Sequence, residues 1–402
     1  MAGNTQRSGT EVAVVGGGPA GLVAAIALNA AGVETVLVAP AAEPDHRTTA
    51  LLAGSVAALT ALGVWPACLP HAAPLRRMRI VDDTARLVRA PEVTFAAAEI
   101  GLDAFGYNIE NRFLVAALEA HAAVVNLSRI TANARAVRSD AAGVTITHAG
   151  GELRAALAIG ADGARSLCRS AAGIATRRRT YPQAALTLNL AHARPHHDTA
   201  TEFHTAHGPF TLVPLPGRRS SLVWVVDPDN ARTLAAMADA ELSDAVEHRA
   251  HSLFGRMRVE EGRGLFPLAT ESAQRLARSR IALVGEAAHV VPPIGAQGLN
   301  LGVRDGAAIA AIVAEARRQN RDVGAPDVLA RYEAARRVDV MSRSLAVDVL
   351  NRSLLTGFIP AHGLRGLSLY LVERIGPLRR ALMREGVAPA AAQPRPTRGE
   401  TA

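Results

Sequence analysis

Short uncharged apolar runs alternate along this chain with stretches in which apolar residues return every three or four positions. Val12 to Val15 is the first run and predicts a strand. Gly16 to Gly21 predicts a turn, and Leu22, Ala25, Ile26 and Leu28 predict the packed side of a helix that Gly32 ends. Thr35-Val36-Leu37-Val38 is a second strand, so the chain opens with a βαβ unit. Leu52, Val56, Leu59 and Leu62 predict a further helix that stops at Gly63. Ala156 to Ile159 and Ile281 to Val284 read as buried strands. In the centre, Thr211 to Leu215 and Ser221 to Val226 flank Pro216-Gly217 and predict a β-hairpin. Strand signals of this kind concentrate in 74–100 and 180–275. The stretch 326–385 is helical by pattern, with Val328 and Tyr332, then Leu350, Leu354 and Phe358, then Leu364, Leu367, Leu371, Ile375 and Leu378.

The fold class is therefore α/β: a Rossmann-like dinucleotide-binding domain, an inserted β-sheet domain and a C-terminal helical segment. The predicted boundaries are 10–73, 104–179 and 276–342 for the first, 74–103 and 180–275 for the second, and 343–386 for the helices. The first ten residues and 387–402 are polar or low in complexity and are predicted to be disordered.

Composition narrows the function classes. The chain has 402 residues, enough for two or three domains, with 49% apolar and 20% charged residues. Two cysteines, Cys68 and Cys168, fit a reducing compartment and exclude a disulfide scaffold. The net charge of +8 comes from 44 basic residues, all arginine. With 3% aromatic residues and no aromatic-interleaved basic patch, a nucleic-acid partner is not expected. Residues 12–33 carry no charge, but Gly16-Gly17-Gly18-Pro19 in their middle would break a membrane-spanning helix. No targeting segment stands out, and the expected location is cytoplasmic.

Three motifs carry chemistry. Gly16, Gly18 and Gly21 form a GxGxxG between a strand and a helix. Its first glycine suits the tight turn, its second the approach of a pyrophosphate, and its third close helix–strand packing. The acid that usually ends the second strand and holds a ribose is replaced by Ala39, followed by Pro40. Glu43 and Asp45 are the nearest carboxylates; either reaches the ribose, or a backbone group or water does. Gly160 to Ser166 contains Asp162-Gly163, by itself an ordinary Asp-Gly turn. The third motif runs from Val284 to Gly302. It places Glu286 beyond a strand tip and leads through a Pro/Gly-rich loop into a helix N-terminus near Gly298. Ligands sit at strand carboxyl ends in open α/β sheets, and free N–H groups near Gly298 to Asn300 can face an electron-rich ring.

These motifs, in this order, resemble those of FAD-dependent aromatic monooxygenases with the para-hydroxybenzoate hydroxylase fold. The finer resemblance is to the ubiquinone-biosynthesis hydroxylases. It is carried by Arg47 to Leu51, Gly106 to Asn111, Tyr181-Pro182-Gln183, Pro195-His196 with Glu202-Phe203, Gly208-Pro209-Phe210, Ser221 to Trp224, and Gln297 to Gly302 with Arg304-Asp305. It covers about residues 10–345. The resemblance implies non-covalent FAD, with Gly16, Gly18 and Gly21 at the pyrophosphate and Arg47 and Asn111 contacting the cofactor. It implies that Asp162 and Gly163 support the pyrophosphate region and that Glu286, where the family usually has aspartate, takes the ribitol. Pro293, Gly295, Gln297, Gly298, Leu299 and Asn300 would line the flavin ring, and no side chain is assigned as catalytic acid or base. The implied reaction is ring hydroxylation of a polyprenylated phenol, a quinone precursor, through a flavin C4a-hydroperoxide. With one dinucleotide fingerprint, the reductant is NAD(P)H visiting the flavin site or an external electron donor. Contact with the inner face of the membrane, or with a quinone-biosynthesis complex, is the implied route to such a substrate.

The alternatives are a hydroxylase of a small soluble phenol, a prenyl-chain reductase of related fold, and a non-catalytic flavin-binding subunit. His192, His196, His197, His204 and His207 fit no zinc spacing and read as surface or structural residues, so no metal is expected. His289 reads as loop-positioning under the resemblance. Arg177-Arg178-Arg179 reads as a solvated turn, and Trp65 and Trp224 as packing residues. There is no G-x-S-x-G of a hydrolase.

Overall fold

The computed structural model describes residues 9–84, 91–293, 295–355 and 375–387. β1 (Gly9–Val15), α1 (Pro19–Ala30) and β2 (Thr35–Val38) form the opening unit. Val12, Ala13 and Val14 are fully buried, as in a parallel strand covered on both faces. The strand starts earlier than its polar beginning predicts. Gly9 and Thr10 pair with Arg154 and Ala155, and the Thr10 hydroxyl donates to Glu34 O at 2.9 Å. A neighbouring strand overrides local polarity there. Residues 1–8 and 388–402, where disorder is predicted, lie outside the described residues.

β1 is central in a sheet ordered β18–β19–β11–β1–β2–β8. Here β8 is Ser128–Ile130, β11 Gly151–Gly160, β18 Ala277–Arg278 and β19 Ile281–Leu283. β19, β11, β1, β2 and β8 run parallel. Val15 is in register with Val38 on one side and Gly160 on the other, and Gly160 with Leu283. Four strand tips therefore end level, and the loops that leave three of them are the three motifs.

The second sheet is ordered β20–β17–β12–β15–β14–β13–β5–β6. Its strands are β5 (Arg77–Asp82), β6 (Val93–Ala96), β12 (Thr176–His192), β13 (Thr199–His204), β14 (Pro209–Leu215), β15 (Arg219–Val226), β17 (Gly264–Ala273) and β20 (His289–Val290). β14 and β15 are the predicted hairpin. Leu186, Leu188, Phe203 and Phe210 pack with Leu234, Leu242 and Val246 of two helices. Trp224 meets Phe210 edge-on with ring centroids 5.2 Å apart, a packing contact as expected. The arginine run is a correction: Arg177, Arg178 and Arg179 lie within β12, paired with Ser272, Glu271 and Thr270. Their side chains are exposed, so charge alone resembles a turn while the ladder to β17 fixes a strand.

A small sheet, β3 (Thr48–Leu52), β7 (Gly106–Glu110) and β4 (Ala72–Pro74), joins the two large ones. Buried Asn108 of β7 donates from Nδ2 to Pro214 O at 2.9 Å and Ser221 Oγ at 3.0 Å. Arg219 of β15 reaches back to the buried carboxylate of Glu110 at 3.1 Å and to Glu260 at 2.6 Å. Trp65 packs edge-on against Tyr107 beside this joint.

Helix α2 (Ala53–Ala61) follows β3 as predicted, and α3 (Trp65–Cys68) is a single turn. α4 (Asn111–Val124) and α5 (Leu167–Ala171) continue the first domain; α6 (Pro228–Ala236) and α7 (Asp239–Arg249) cover the second sheet. α8 (Gln297–Arg318) packs on α1, and α9 (Pro326–Leu355) on α8. Val328 and Tyr332 are buried as their spacing predicts. α10 (Gly376–Val387) buries Met383 and Val387 against Ala97 and Phe105, and Arg379 pairs with Glu99. This part of the C-terminal segment is a cover, with Ile375 and Leu382 left exposed. The stripe positions Leu350, Leu354, Phe358, Leu364, Leu367, Leu371 and Leu378 have side chains outside the described residues.

Asn108→Leu should destabilise the protein by about 1–3 kcal/mol, because Pro214 O and Ser221 Oγ lose a buried donor. Urea unfolding of the two proteins measures this, and an unchanged midpoint would remove Asn108 from the joint.

Candidate active site

The glycine turn is built by two close approaches. Gly16 has φ +114°, and a Cβ on it would lie 2.2 Å from Ala161 O. A Cβ on Gly21 would lie 2.1 Å from Gly16 O. Gly18 differs: a Cβ there meets no atom within 4 Å, yet the residue lines the main groove. The first turn of α1 has no side-chain cap and no acid. Free N–H groups thus face open space at the positive end of a helix, a cradle that fits a pyrophosphate.

The groove has a volume of about 490 Å³, within the range of small-molecule sites. It runs from Gly18 between the loop after β2 and the loop after β19 to the second sheet. Of the predicted residues, Gly18, Gly21, Arg47, Asn111, Gly163, Glu286, Pro293, Gly298 and Leu299 line it. Arg47 donates from Nη2 to Asp45 Oδ2 at 2.7 Å, and Asn111 Nδ2 donates to the same oxygen at 2.9 Å. Burial disfavours the charged Asp45, but the bonds from Arg47 and Asn111 outweigh it and hold its pKa below the usual value. The pairing with Asp45, against the opposing effect of burial, raises Arg47, and the charge of Glu286 adds to this. Glu286 is exposed in the groove and makes no hydrogen bond among the described residues. Its acceptor oxygens remain available for a sugar alcohol.

The other predicted residues do not line the groove. Gly16 forms the turn beneath it. The Asp162 carboxylate accepts from Ser166 Oγ at 2.6 Å and Cys168 N at 3.1 Å, so it shapes the loop carrying Gly163 and does not face the groove. Gln297 Nε2 donates to Gly295 O at 2.9 Å, and neither residue lines the groove. The Asn300 side chain, expected at the flavin ring, is instead buried in a clip. Its Oδ1 accepts from Leu52 N at 2.9 Å and Ser55 Oγ at 2.6 Å, and its Nδ2 donates to Ala50 O at 2.8 Å and Ala296 O at 2.5 Å. A buried amide must be fully bonded, and these partners use its capacity.

The far end of the groove is a part that the sequence left unread. Thr187, Val223, Phe266 and Leu268 of the second sheet face Val290 to Pro293 across it. The Phe266 ring centroid lies 5.7 Å from the Arg47 guanidinium carbon. The lining holds no cysteine, serine or lysine. Both thiols are buried elsewhere, and burial pushes Cys68 up to about 11. The lining combines apolar side chains of the second sheet with Asp45, Arg47 and Glu286 on the opposite loops. The histidines of the second sheet have structural partners: His192 bonds to Arg194 O and Ser220 Oγ, His196 to Leu215 O and His204 to Glu202.

Beneath the groove lies a buried ionic network. Asp305 accepts from Gly285 N at 3.1 Å, pairs with His289 Nε2 at 2.6 Å and with Arg336 Nε at 2.7 Å. Arg336 also pairs with Asp339, which holds Arg304 at 2.8 Å. Burial opposes ionisation of Asp305, but His289 and Arg336 outweigh it and keep its pKa well below the carboxylate range. Both ends of the loop Gly285 to His289 are thereby tied to α8 and α9. His289 has its expected positioning role; no local pattern in the sequence marks Arg336.

Residues 9–343 match the family model described as FAD binding domain. The ubiquinone hydroxylase UbiL of Rhodospirillum rubrum is 35% identical over 398 residues, which span 96% of this chain and 92% of that protein. The 3-demethoxyubiquinol 3-hydroxylase of Escherichia coli is 32% identical over 390 residues, 93% of this chain and 97% of that protein. Among solved structures, p-nitrophenol 4-monooxygenase PnpA from Pseudomonas putida superposes with a TM-score of 0.77 at 22% identity, over 94% of this chain and 98% of that one, and shows the shared fold.

Two variants separate the roles of the glycines. Gly21→Ala should destabilise the fold by about 1–3 kcal/mol through overpacking against Gly16 O. Gly18→Val should leave thermal stability of the flavin-free protein near the parent's and weaken FAD binding, read by flavin fluorescence. Asp305→Asn should cost about 3–5 kcal/mol at pH 7, since Arg336 loses a buried partner. The depressed pKa means that the parent holds this stability above about pH 4 and loses it as pH falls further. The gap between parent and variant in urea unfolding should therefore shrink toward pH 3; a gap that grows in acid contradicts the assignment.

The family match over most of the chain, the two relatives aligned along nearly their whole length and a groove open where a pyrophosphate fits agree with one another: the chain belongs to the FAD-binding-domain family, among the FAD-dependent hydroxylases of ubiquinone biosynthesis.

Proposed function

We propose that the protein hydroxylates the aromatic ring of a polyprenylated phenol, a quinone precursor, using bound FAD, oxygen and electrons from NAD(P)H or an external donor. The observation that supports this reading most is the far end of the groove, where an apolar sheet wall faces the loop Val290 to Pro293. FAD, when bound and reduced, supplies the oxygen chemistry. The chain's own residues do the rest. N–H groups beside Gly18 hold the pyrophosphate, and Glu286 accepts from the ribitol. The backbone at Gly298 and Leu299 faces the ring system. Phe266, Leu268 and the proline loop keep water from the reacting end, where it would divert the activated oxygen.

Peripheral contact with the inner face of the membrane, or with a quinone-biosynthesis complex, belongs to the same proposal. Among the described residues no helix is long and apolar enough to cross a membrane. Ile375 and Leu382 are exposed on the C-terminal segment with Arg380 and Arg384 beside them. Apolar side chains with neighbouring arginines suit an anionic lipid surface.

In a strain lacking the protein, a prenylated phenol one oxygen short of the next intermediate should accumulate. The purified protein with FAD and a reductant should add one labelled atom from ¹⁸O₂ to it. Turnover of small soluble phenols with none of the prenylated one would support the soluble-phenol alternative. Binding of FAD without any oxygen-dependent product would support the non-catalytic subunit.

A further inference from the structure

The acid expected at the tip of β2 is missing, and a guanidinium stands in its neighbourhood. Ala39 is buried, with its Cβ 2.8 Å from where a Cβ on Gly17 would be, so it forms the floor beside the glycine turn. Asp45, one of the two carboxylates near enough to substitute, is engaged by Arg47 and Asn111. Glu43 is on exposed coil. Arg129 projects from β8, the strand beside β2, at the level of Leu37. Its Nη2 donates to Pro40 O at 2.7 Å and lies 3.9 Å from the same Gly17 Cβ position. Its Nη1 pairs with Glu119 of α4. The side chain is 24% exposed, and its Nε is buried without a hydrogen-bond partner among the described residues.

We propose that Arg129 is a cofactor-binding residue, donating to the ribose oxygens of the adenosine half of FAD where a carboxylate would otherwise accept from the ribose hydroxyls. This rests on FAD binding and not on the identity of the phenol. Glu119 and Pro40 O orient the guanidinium, as a planar fork with two fixed partners has little freedom left. The exchange of an acceptor for a donor reverses the local sign. A carboxylate at this place repels a phosphate on the 2′-oxygen; an arginine accommodates one. The adenosine end is therefore predicted to accept adenosine 2′,5′-bisphosphate at least as well as 5′-AMP.

The test compares full-length Glu119→Gln with Glu119→Gln/Arg129→Gln, so that no carboxylate is left unpaired, using calorimetric titration with ADP and with FMN after removal of flavin. Loss of the guanidinium should weaken ADP by about tenfold or more, as for a charged hydrogen bond, and leave FMN unchanged. Equal ADP affinity in the two proteins overturns the assignment, and so does an equal loss for ADP and FMN, which marks a general collapse of the site. The unaltered protein gives an independent reading should the double variant not fold: binding of 5′-AMP clearly tighter than of adenosine 2′,5′-bisphosphate overturns the proposal. Failure of ring hydroxylation with these affinities intact would count against the proposed substrate and not against Arg129.

Discussion

The level ending of the parallel strands β2, β1, β11 and β19 is the constraint on which the site depends. Val38, Val15, Gly160 and Leu283 share a register, so the turn at Gly16, the loop at Asp162 and the loop at Glu286 leave the sheet side by side. A slip of one residue in any of these pairings would exchange the side chains packed on the two faces of the sheet and displace a motif by about 3.3 Å. The contact between Gly16 and Ala161 O exists only in this register. Motifs separated by more than a hundred residues in sequence meet because a hydrogen-bond ladder leaves them no other place.

Much of this was legible from the residues. The apolar run Val12 to Val15, the turn glycines and the buried run from Ile281 each carry a local signal that survives in the fold. Legibility fails where a side chain's partner is distant in sequence. Asn300 lies in a motif expected to face the ring, yet its amide binds Leu52, Ser55 and Ala50, about 250 positions away. Asp162 is drawn inward by Ser166 and Cys168, neighbours that the sequence displays but whose geometry it does not. The apolar wall at Val223, Phe266 and Leu268 has no motif, because its strands carry only the alternation common to any half-buried sheet. Arg177 to Arg179 show the opposite error, where a strong local signal, three adjacent charges, yields to the ladder with β17.

Charge is arranged in two layers. Below the groove, Asp305, His289, Arg336 and Asp339 are almost free of solvent and pair among themselves, with Arg304 at the half-buried edge. Such a network is costly to bury, and His289 Nδ1 and Arg336 Nη2 have no partner among the described residues, but its pairs tie the loop to α8 and α9. Above it, Arg47, Asp45 and Glu286 are wetter and only partly committed to one another. A ligand can rearrange the upper layer at small cost because water screens it, while the lower layer keeps the loop in place.

The joint at Asn108 and Glu110 is one place where the large sheets are held to each other. Asn108 holds β14 and β15, and Arg219 of β15 clamps the buried Glu110, two residues along the same face of β7. At the other border of the groove, β20 pairs with β17, and His289 of β20 is held by Asp305 of α8. A span pinned at both borders keeps its width, so a guest must match the groove rather than reshape it.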